Sequence, residues 1–503
     1  MAHSSRVLRG TIWLLAAGIL AKILGAVFRI PLTSMLGGAG MGYYSSAYGL
    51  FLPVFALSVT GINTAVAALT AQYLAKGESA SAHRLYVLAL RSFAMIGTAA
   101  SAGLFLLAKP LCTHLLRNPH AALSVQCFAP AVLICCLSAV LRGRFEGHQR
   151  MEPTAVSQIA EGFARVGFGL SLCAFAMHHT AGILPFLPPD IGSDALAAAA
   201  AILGVTLSAL TGLVTACFFR IPKSTDSAPC STDRQILRAF FRLLIPVTIA
   251  SLVTNLTGLL DLAAGLPVLA AALHSEEQAN FCFGAYSGLA VTMFNLVPSV
   301  TNTLGKGVLP AFAESCTKKD RAAAARHAED VLWRTAFLAC PAGLGLTVLA
   351  KPILELLFSS RPQEIMLAAP ALQILGIAVI FTSLSFPLFS MMQGAGFGSE
   401  PVKVMLIGAA VKFPCNLFLI PRIGLSGAAW ATLLCYFVIL LAGVRRFRKC
   451  TGLPCPILRS AAKPLFAGVL CAAMACLLIS HTALPFAVMG SGAVYLLAMF
   501  LLH

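Results

Sequence analysis

Long apolar runs recur along the whole chain, each closed by a few polar residues. A helix that crosses a bilayer needs about 20 mostly apolar residues. Fourteen stretches reach that length, near 11–32, 43–74, 85–108, 120–141, 153–177, 194–219, 237–271, 281–311, 331–350, 366–392, 401–420, 424–444, 461–480 and 483–502. Several are long enough to tilt or to include an interfacial turn. The pattern predicts an all-α, polytopic membrane protein of about fourteen transmembrane helices.

Composition strengthens that reading. Apolar residues make up 58% of 503 and charged residues 11%, with a mean hydropathy of +0.87. A soluble fold carries roughly 25% charged residues, so this chain cannot cover a water-facing surface. A soluble enzyme, a disordered chain and a secreted disulfide scaffold are excluded. The 16 cysteines are scattered through the apolar runs without C-x-x-C spacing, as small packing residues would be. The first apolar stretch is no cleavable signal peptide: it is long, holds Lys22 and Arg29, and lacks a small-residue cleavage pattern.

A net charge of +17 raises the question of nucleic acid, but the basic residues sit in short loops between apolar runs, so no nucleic acid partner is expected. Their placement instead reports orientation. With the N-terminus in the cytoplasm, 23 Lys and Arg fall in inner segments, among them Arg142, Arg144, Arg150, Arg459 and Lys463, and 5 in outer ones. Both termini are therefore expected in the cytoplasm, with the chain in the plasma membrane.

The two halves echo each other. LRGTIWLL at Leu8 returns as LRAFFRLL at Leu237, AYGLFLPVF at Ala47 as AYSGLAVTMF at Ala285, FAPAVLI at Phe128 as AAPALQI at Ala368, and FEGHQRMEP at Phe145 as MQGAGFGSEP at Met392. The organisation read from this is an N-lobe of six helices (1–222), a C-lobe of six (223–450) and two further helices (451–503). An even number of helices per copy gives both copies one orientation. Transporters built from such parallel repeats hold substrate between lobes and alternate access by rocking them.

Charges at bilayer depth are costly and tend to face a cavity or a partner. Seven basic residues fall inside apolar runs. Arg91, Arg242 and Lys306 lie near inner ends and can snorkel, whereas Lys22, Arg29, Arg165 and Lys412 are deeper. The clear in-span acids are Glu161 and Asp261. Lys22 and Arg29, two turns apart, share a helix face. Glu161 and Arg165 are spaced to pair locally; Lys412 and Asn416 repeat that spacing in the second copy, where Lys412 either faces a cavity or neutralises Asp261. The surplus of deep positive charge suits an anionic substrate such as a phosphate or pyrophosphate. Pro298, Pro310, Pro387 and Pro414 fall inside spans, with Gly61 and Asn63 near the middle of the second, as in the broken helices that line transport paths.

The run ILAKILGAVFRIPLTSMLGGAGMGYYSSAYGLF, the stretch LRGRFEGHQRMEPTAVSQIAE (Leu141 to Glu161) and the segment MQGAGFGSEPVKVMLIGAAVKFPCNLFLIPRIGLSGAAWAT resemble stage V sporulation protein B-like proteins. These are a polysaccharide biosynthesis (oligosaccharide flippase) family within the multidrug/oligosaccharidyl-lipid/polysaccharide exporter superfamily, related to lipid II flippases. The resemblance covers roughly residues 5–450. It implies fourteen helices in two six-helix lobes plus two, and export of a polyprenyl-pyrophosphate-linked sugar to the outer leaflet; in sporulating bacteria the cargo would be a peptidoglycan precursor for the spore cortex. By that resemblance Lys22 matches a basic residue of the first helix, and Arg29 falls one position from another. Asp261 matches an acid that in some relatives contributes to a sodium site. Asn416 lies where helix 11 would contribute to it, and Lys412 stands at another ligand position, where its ammonium can take the ion's electrostatic role. An Asp-Arg pair of lipid II flippases is replaced by Ser287 and Gly288, a departure that bears on lipid II specificity.

The expected function is a flippase working by alternating access, with Lys22, Arg29 and Arg165 binding substrate and Glu161, Asp261, Lys412 and Asn416 forming a charge network. The alternative is a cation-coupled multidrug exporter, for which only Glu161 and Asp261 offer acid. A membrane enzyme is disfavoured: the chain has no D-x-D, no H-E-x-x-H and no P-loop, and His178 and His179 with Asp190 and Asp194 read as a solvated outer loop. No cofactor and no metal are expected. The expected partners are the lipid-linked sugar, membrane lipids and a cell-wall synthase, with the chain working as a monomer.

Overall fold

The computed structural model describes residues 2–59, 61–183, 185, 191–221, 232–318 and 320–502. Among these residues there is no strand. Helices close their own backbone hydrogen bonds, which is what a chain in hydrocarbon requires.

The helices run in order as α1 (Ala2–Ser58), α2 (Ile62–Ala75), α3 (Ser79–Pro110), α4 (Ala122–Gly147), α5 (Glu152–His178), the single turn α6 (Thr180–Ile183), α7 (Ser193–Cys217), α8 (Asp233–Leu260), α9 (Leu266–Leu273), α10 (Glu276–Ala285), α11 (Val291–Thr317), α12 (Arg321–Val348), α13 (Ala350–Leu357), α14 (Pro362–Gly394), α15 (Glu400–Ile423), α16 (Leu425–Thr451), α17 (Ile457–Ile479) and α18 (Leu484–Leu502). Single π-helical turns continue α3 at Leu111–Leu115, join α8 to α9 at Asp261–Gly265, and join α10 to α11 at Tyr286–Ala290.

Twelve stretches among the described residues are long and apolar enough to cross a membrane, and the chain is a multi-pass membrane protein. The stretch Ile23–Ala75 holds the second run read in the sequence and the end of the first. It is broken at Gly37 (φ 63°, ψ −168°), a backbone conformation natural only to glycine. The seventh run, on α8 and α9, falls partly outside the described side chains. A second left-handed glycine, Gly61 (φ 99°), separates α1 from α2. Pro387 and Pro414, expected as helix breakers, instead lie inside continuous α14 and α15; Pro298 lies in α11 without interrupting it.

The chain divides into two compact units, Met1–Leu259 and Leu260–His503. In the first, α5 and α7 meet backbone to backbone: a Cβ at Gly204 would lie 2.5 Å from the Gly169 Cα. Tyr48, Phe51 and Phe128 form an aromatic core between α1 and α4, with Phe51 and Phe128 stacked at 3.8 Å. The start of α8 is fastened to α3 by Phe240 against Phe93 (5.8 Å). Arg84 reinforces it by donating from Nε and Nη2 to the two Asp233 oxygens at 2.7 and 2.8 Å. In the second unit, α17 and α18 close over α12 through Ala467, Cys471, Tyr495, Ala498 and Met499, with Trp333 and Phe337 packed against them. The Tyr495 hydroxyl donates to the Phe337 carbonyl at 2.8 Å, which satisfies the polar end of that ring. The fifteen described cysteines are free thiols.

Candidate functional site

Each unit holds one cluster of charges expected at bilayer depth. In the first unit the centre is Glu161, two turns into α5. Arg142 Nη2, from α4, donates to Oε2 at 2.9 Å, and Arg165 Nη2, one turn along α5, donates to Oε1 at 2.7 Å. Arg142 also donates from Nε and Nη2 to Ser157 Oγ at 3.0 and 2.7 Å, and Ser157 Oγ donates to the Gly212 carbonyl of α7 at 3.0 Å. Gly212 lets these groups come close: a Cβ would lie 3.1 Å from both Arg142 Nη2 and Glu161 Oε2, so they would have to give way by a few tenths of an ångström. Two guanidiniums on one carboxylate leave the cluster one charge positive. The Arg165 Nε is buried and makes no hydrogen bond, so one donor of that guanidinium is unused.

A third guanidinium stands nearby. Arg29 lies with its Cζ 5.2 Å from the centre of the Tyr44 ring, within cation–π range. Tyr44 is buried against Tyr48 at 5.2 Å, and both tyrosines are within electrostatic reach of Arg165. Arg29, Tyr44, Tyr48, Arg165, Glu161 and Arg142 thus form a polar seam through α1, α5 and α4, holding three cations and one acid. Lys22 lies seven residues before Arg29 on α1; its side chain is outside the described residues, as is that of Lys306. Arg91 and Arg242 are exposed.

In the second unit Lys412 Nζ donates to Asp261 Oδ2 at 2.7 Å, and Asn416 Nδ2 to Oδ1 at 3.1 Å. Lys412 is 2% exposed, so this is a desolvated ion pair. Of the two roles open to Lys412 in the sequence, the geometry gives neutralisation of Asp261. The α8–α9 π-helical turn begins at Asp261. Tyr286 and Ser287, both buried, belong to the turn between α10 and α11. The Asn416 Oδ1 and the Tyr286 hydroxyl are buried without hydrogen-bond partners.

The sequence placed Arg142 in an inner loop, but α4 runs on to Gly147 and carries it inward as a ligand of Glu161. Glu146 was likewise missed as an in-helix acid. It accepts from Asn63 Nδ2 at 3.1 Å through both oxygens, tying α2 to α4. Tyr44 and Tyr48 gave no charge signal; their i,i+4 spacing with Phe51 looks like ordinary core. Among the described residues no three His, Cys, Asp or Glu come together as metal ligands.

The model of the polysaccharide biosynthesis protein family matches residues 7–316, well over half of the chain. The chain belongs to that family. The MatE family model also matches, over residues 285–418. Stage V sporulation protein B of Bacillus subtilis (strain 168) is 24% identical over 436 residues, covering 84% of this chain and 80% of its own. Lipid II flippase MurJ of the same organism is 24% identical over 469 residues, covering 89% and 84%. The solved structure of lipid II flippase MurJ in its inward closed conformation superposes with a TM-score of 0.70 at 13% identity, over 97% of both chains. This family member thus shares the fold of that solved structure.

Proposed function

We propose that this protein moves a polyprenyl-pyrophosphate-linked oligosaccharide from the inner to the outer leaflet of the plasma membrane by alternating access, with both termini in the cytoplasm. The observation that carries the reading is the seam in the first unit: three arginines, Arg29, Arg142 and Arg165, against the single acid Glu161. A pyrophosphate diester offers acceptor oxygens and negative charge to guanidiniums, which bind such groups through paired hydrogen bonds. Arg29 and Arg165 are the substrate ligands in this reading, with Lys22 on the same helix face as Arg29. Arg142 and Glu161 hold Arg165 in place. No bond is made or broken; the protein lowers the cost of carrying a polar head through apolar medium. The membrane potential assists outward movement of an anion by about 2.3 kcal/mol per charge per 100 mV.

The names of the relatives, a lipid II flippase and a sporulation protein, support a peptidoglycan precursor as the cargo class. In the second unit the Lys412 ammonium already neutralises Asp261, so coupling to sodium is not part of the mechanism. The test is leaflet accessibility of a polyprenyl-pyrophosphate-linked peptidoglycan precursor in proteoliposomes under an imposed potential. The wild type is expected to expose it in a potential-dependent way, and the R29Q and R29Q/R165Q variants to lose this activity while still folding. Unchanged exposure in folded R29Q/R165Q overturns the site. Absence of exposure beside an active control flippase, with drug efflux instead, overturns the cargo in favour of a multidrug exporter.

A further inference from the structure

The second unit carries a charged groove remote in sequence from both clusters. It has a volume of about 480 Å³ and lies where α12, α17 and α18 meet, lined by Arg326, Trp333, Arg459, Ser460, Lys463 and Met499. Two acids also border it. Asp330 is held by Arg334, Nε to Oδ1 at 3.0 Å, and Glu329 lies 4.0 Å from Arg459. Three cations thus line the groove against two acids.

We propose that this groove binds the phosphate headgroup of an anionic bilayer phospholipid. Four features point there. Ser460 is 3% exposed, lines the groove, and its Oγ has no hydrogen-bond partner; a phosphate oxygen supplies the missing acceptor. Ser460 and Arg459 stand in the first turn of α17, where the helix dipole favours an anion. Trp333 is half-buried against the α17–α18 core and marks headgroup depth, where indole rings settle. The apolar floor at Met499 continues into α18, whose flank is strongly exposed at Leu496, Leu497, Phe500 and Leu501 and suits an acyl chain. Lys463 Nζ, bonded to the Leu502 carbonyl at 2.6 Å, joins α17 to the end of α18 and keeps the basic rim together.

The probe is dioleoyl phosphatidylglycerol, with phosphatidylcholine as the neutral control and inorganic phosphate as the free-anion control. Purified full-length protein is delipidated in mild detergent, and retained lipid is counted by native mass spectrometry. Phosphatidylglycerol is expected to be retained at least fivefold better than phosphatidylcholine. The R326Q/R459Q/K463Q variant, whose changed side chains are solvent-exposed, is expected to lose that preference while keeping its unfolding profile in detergent. Ser460→Ala is expected to weaken retention severalfold without loss of any charge. Equal retention of the two lipids, or an unchanged preference in a folded triple variant, overturns the proposal. Displacement of the lipid by millimolar inorganic phosphate, with phosphate itself retained by the wild type and lost by the triple variant, identifies a free-phosphate site and overturns the lipid assignment.

Discussion

Glu161 is the residue on which the first cluster turns. Its two oxygens serve two arginines, so Glu161→Gln leaves two partly buried guanidiniums facing each other. Removing one partner of a buried pair costs about 3–5 kcal/mol; partial exposure of these side chains lowers the expectation to about 2–3 kcal/mol. Thermal unfolding in detergent reads the loss, and the E161Q/R165Q double variant is expected to recover part of it, because one unpaired cation goes too. Gly212→Ala, which intrudes on the same pair, is expected to destabilise in the same direction by about 1–2 kcal/mol. A second residue reports on pH. His148, in the link between α4 and α5, is held below its ordinary value of 6.5, chiefly by burial. Between the lowered value and 6.5 the unfolded chain takes up a proton that the folded chain refuses, so stability falls as pH drops through that window. His148→Gln is expected to flatten the decline in unfolding temperature seen on acidification.

At the scale of elements, helix periodicity made the Glu161–Arg165 pair and the shared face of Lys412 and Asn416 readable in the sequence, because both follow from spacing within one helix. The long-range partners were not readable. Lys412 and Asp261 are 151 residues apart, and nothing local distinguishes a cation facing a cavity from one facing an acid on another helix. Arg142 was hidden for a different reason: positive residues near a helix end normally signal the inner loop, and only the extension of α4 to Gly147 brings this one inside. The attachment of α8 to α3 was also invisible, since it rests on Arg84 and Asp233 from distant segments. Arg84 beside it holds the Asp233 carboxyl below the usual carboxylate range. Arg84→Gln is expected to speed hydrogen exchange in the first turns of α8, and the wild-type protection there to fade in acid as Asp233 is protonated.

For the whole molecule, all-helical architecture and multiple membrane crossings were legible because they depend on summed hydropathy, which tolerates errors at single residues. The split between the first two runs was also legible, since Gly37 breaks the helical stretch in the gap between them, whereas the seventh run, on α8 and α9, falls partly outside the described side chains. The charge asymmetry of the loops yields a prediction at this scale. Tags at the two termini are expected to resist proteolysis from outside intact cells and to be removed once the membrane is opened. Replacing sodium by choline in the flipping assay is expected to leave the rate unchanged, whereas a Lys412→Ala variant, which strands Asp261 without a cation, is expected to lose stability.

The π-helical turn at Asp261–Gly265 holds one residue more than an α-helix would need there. Such a turn behaves as a one-residue insertion. Deleting Ala263 would let α8 run into α9 as regular helix, rotating everything on one side of it by about 100° relative to the other. The frame of every later residue in α9 would then be wrong for its packing, or Asp261 would swing away from Lys412. The meeting of those two charges is therefore recorded in the length of the chain as well as in its letters, and a single-codon deletion should undo it without changing either residue.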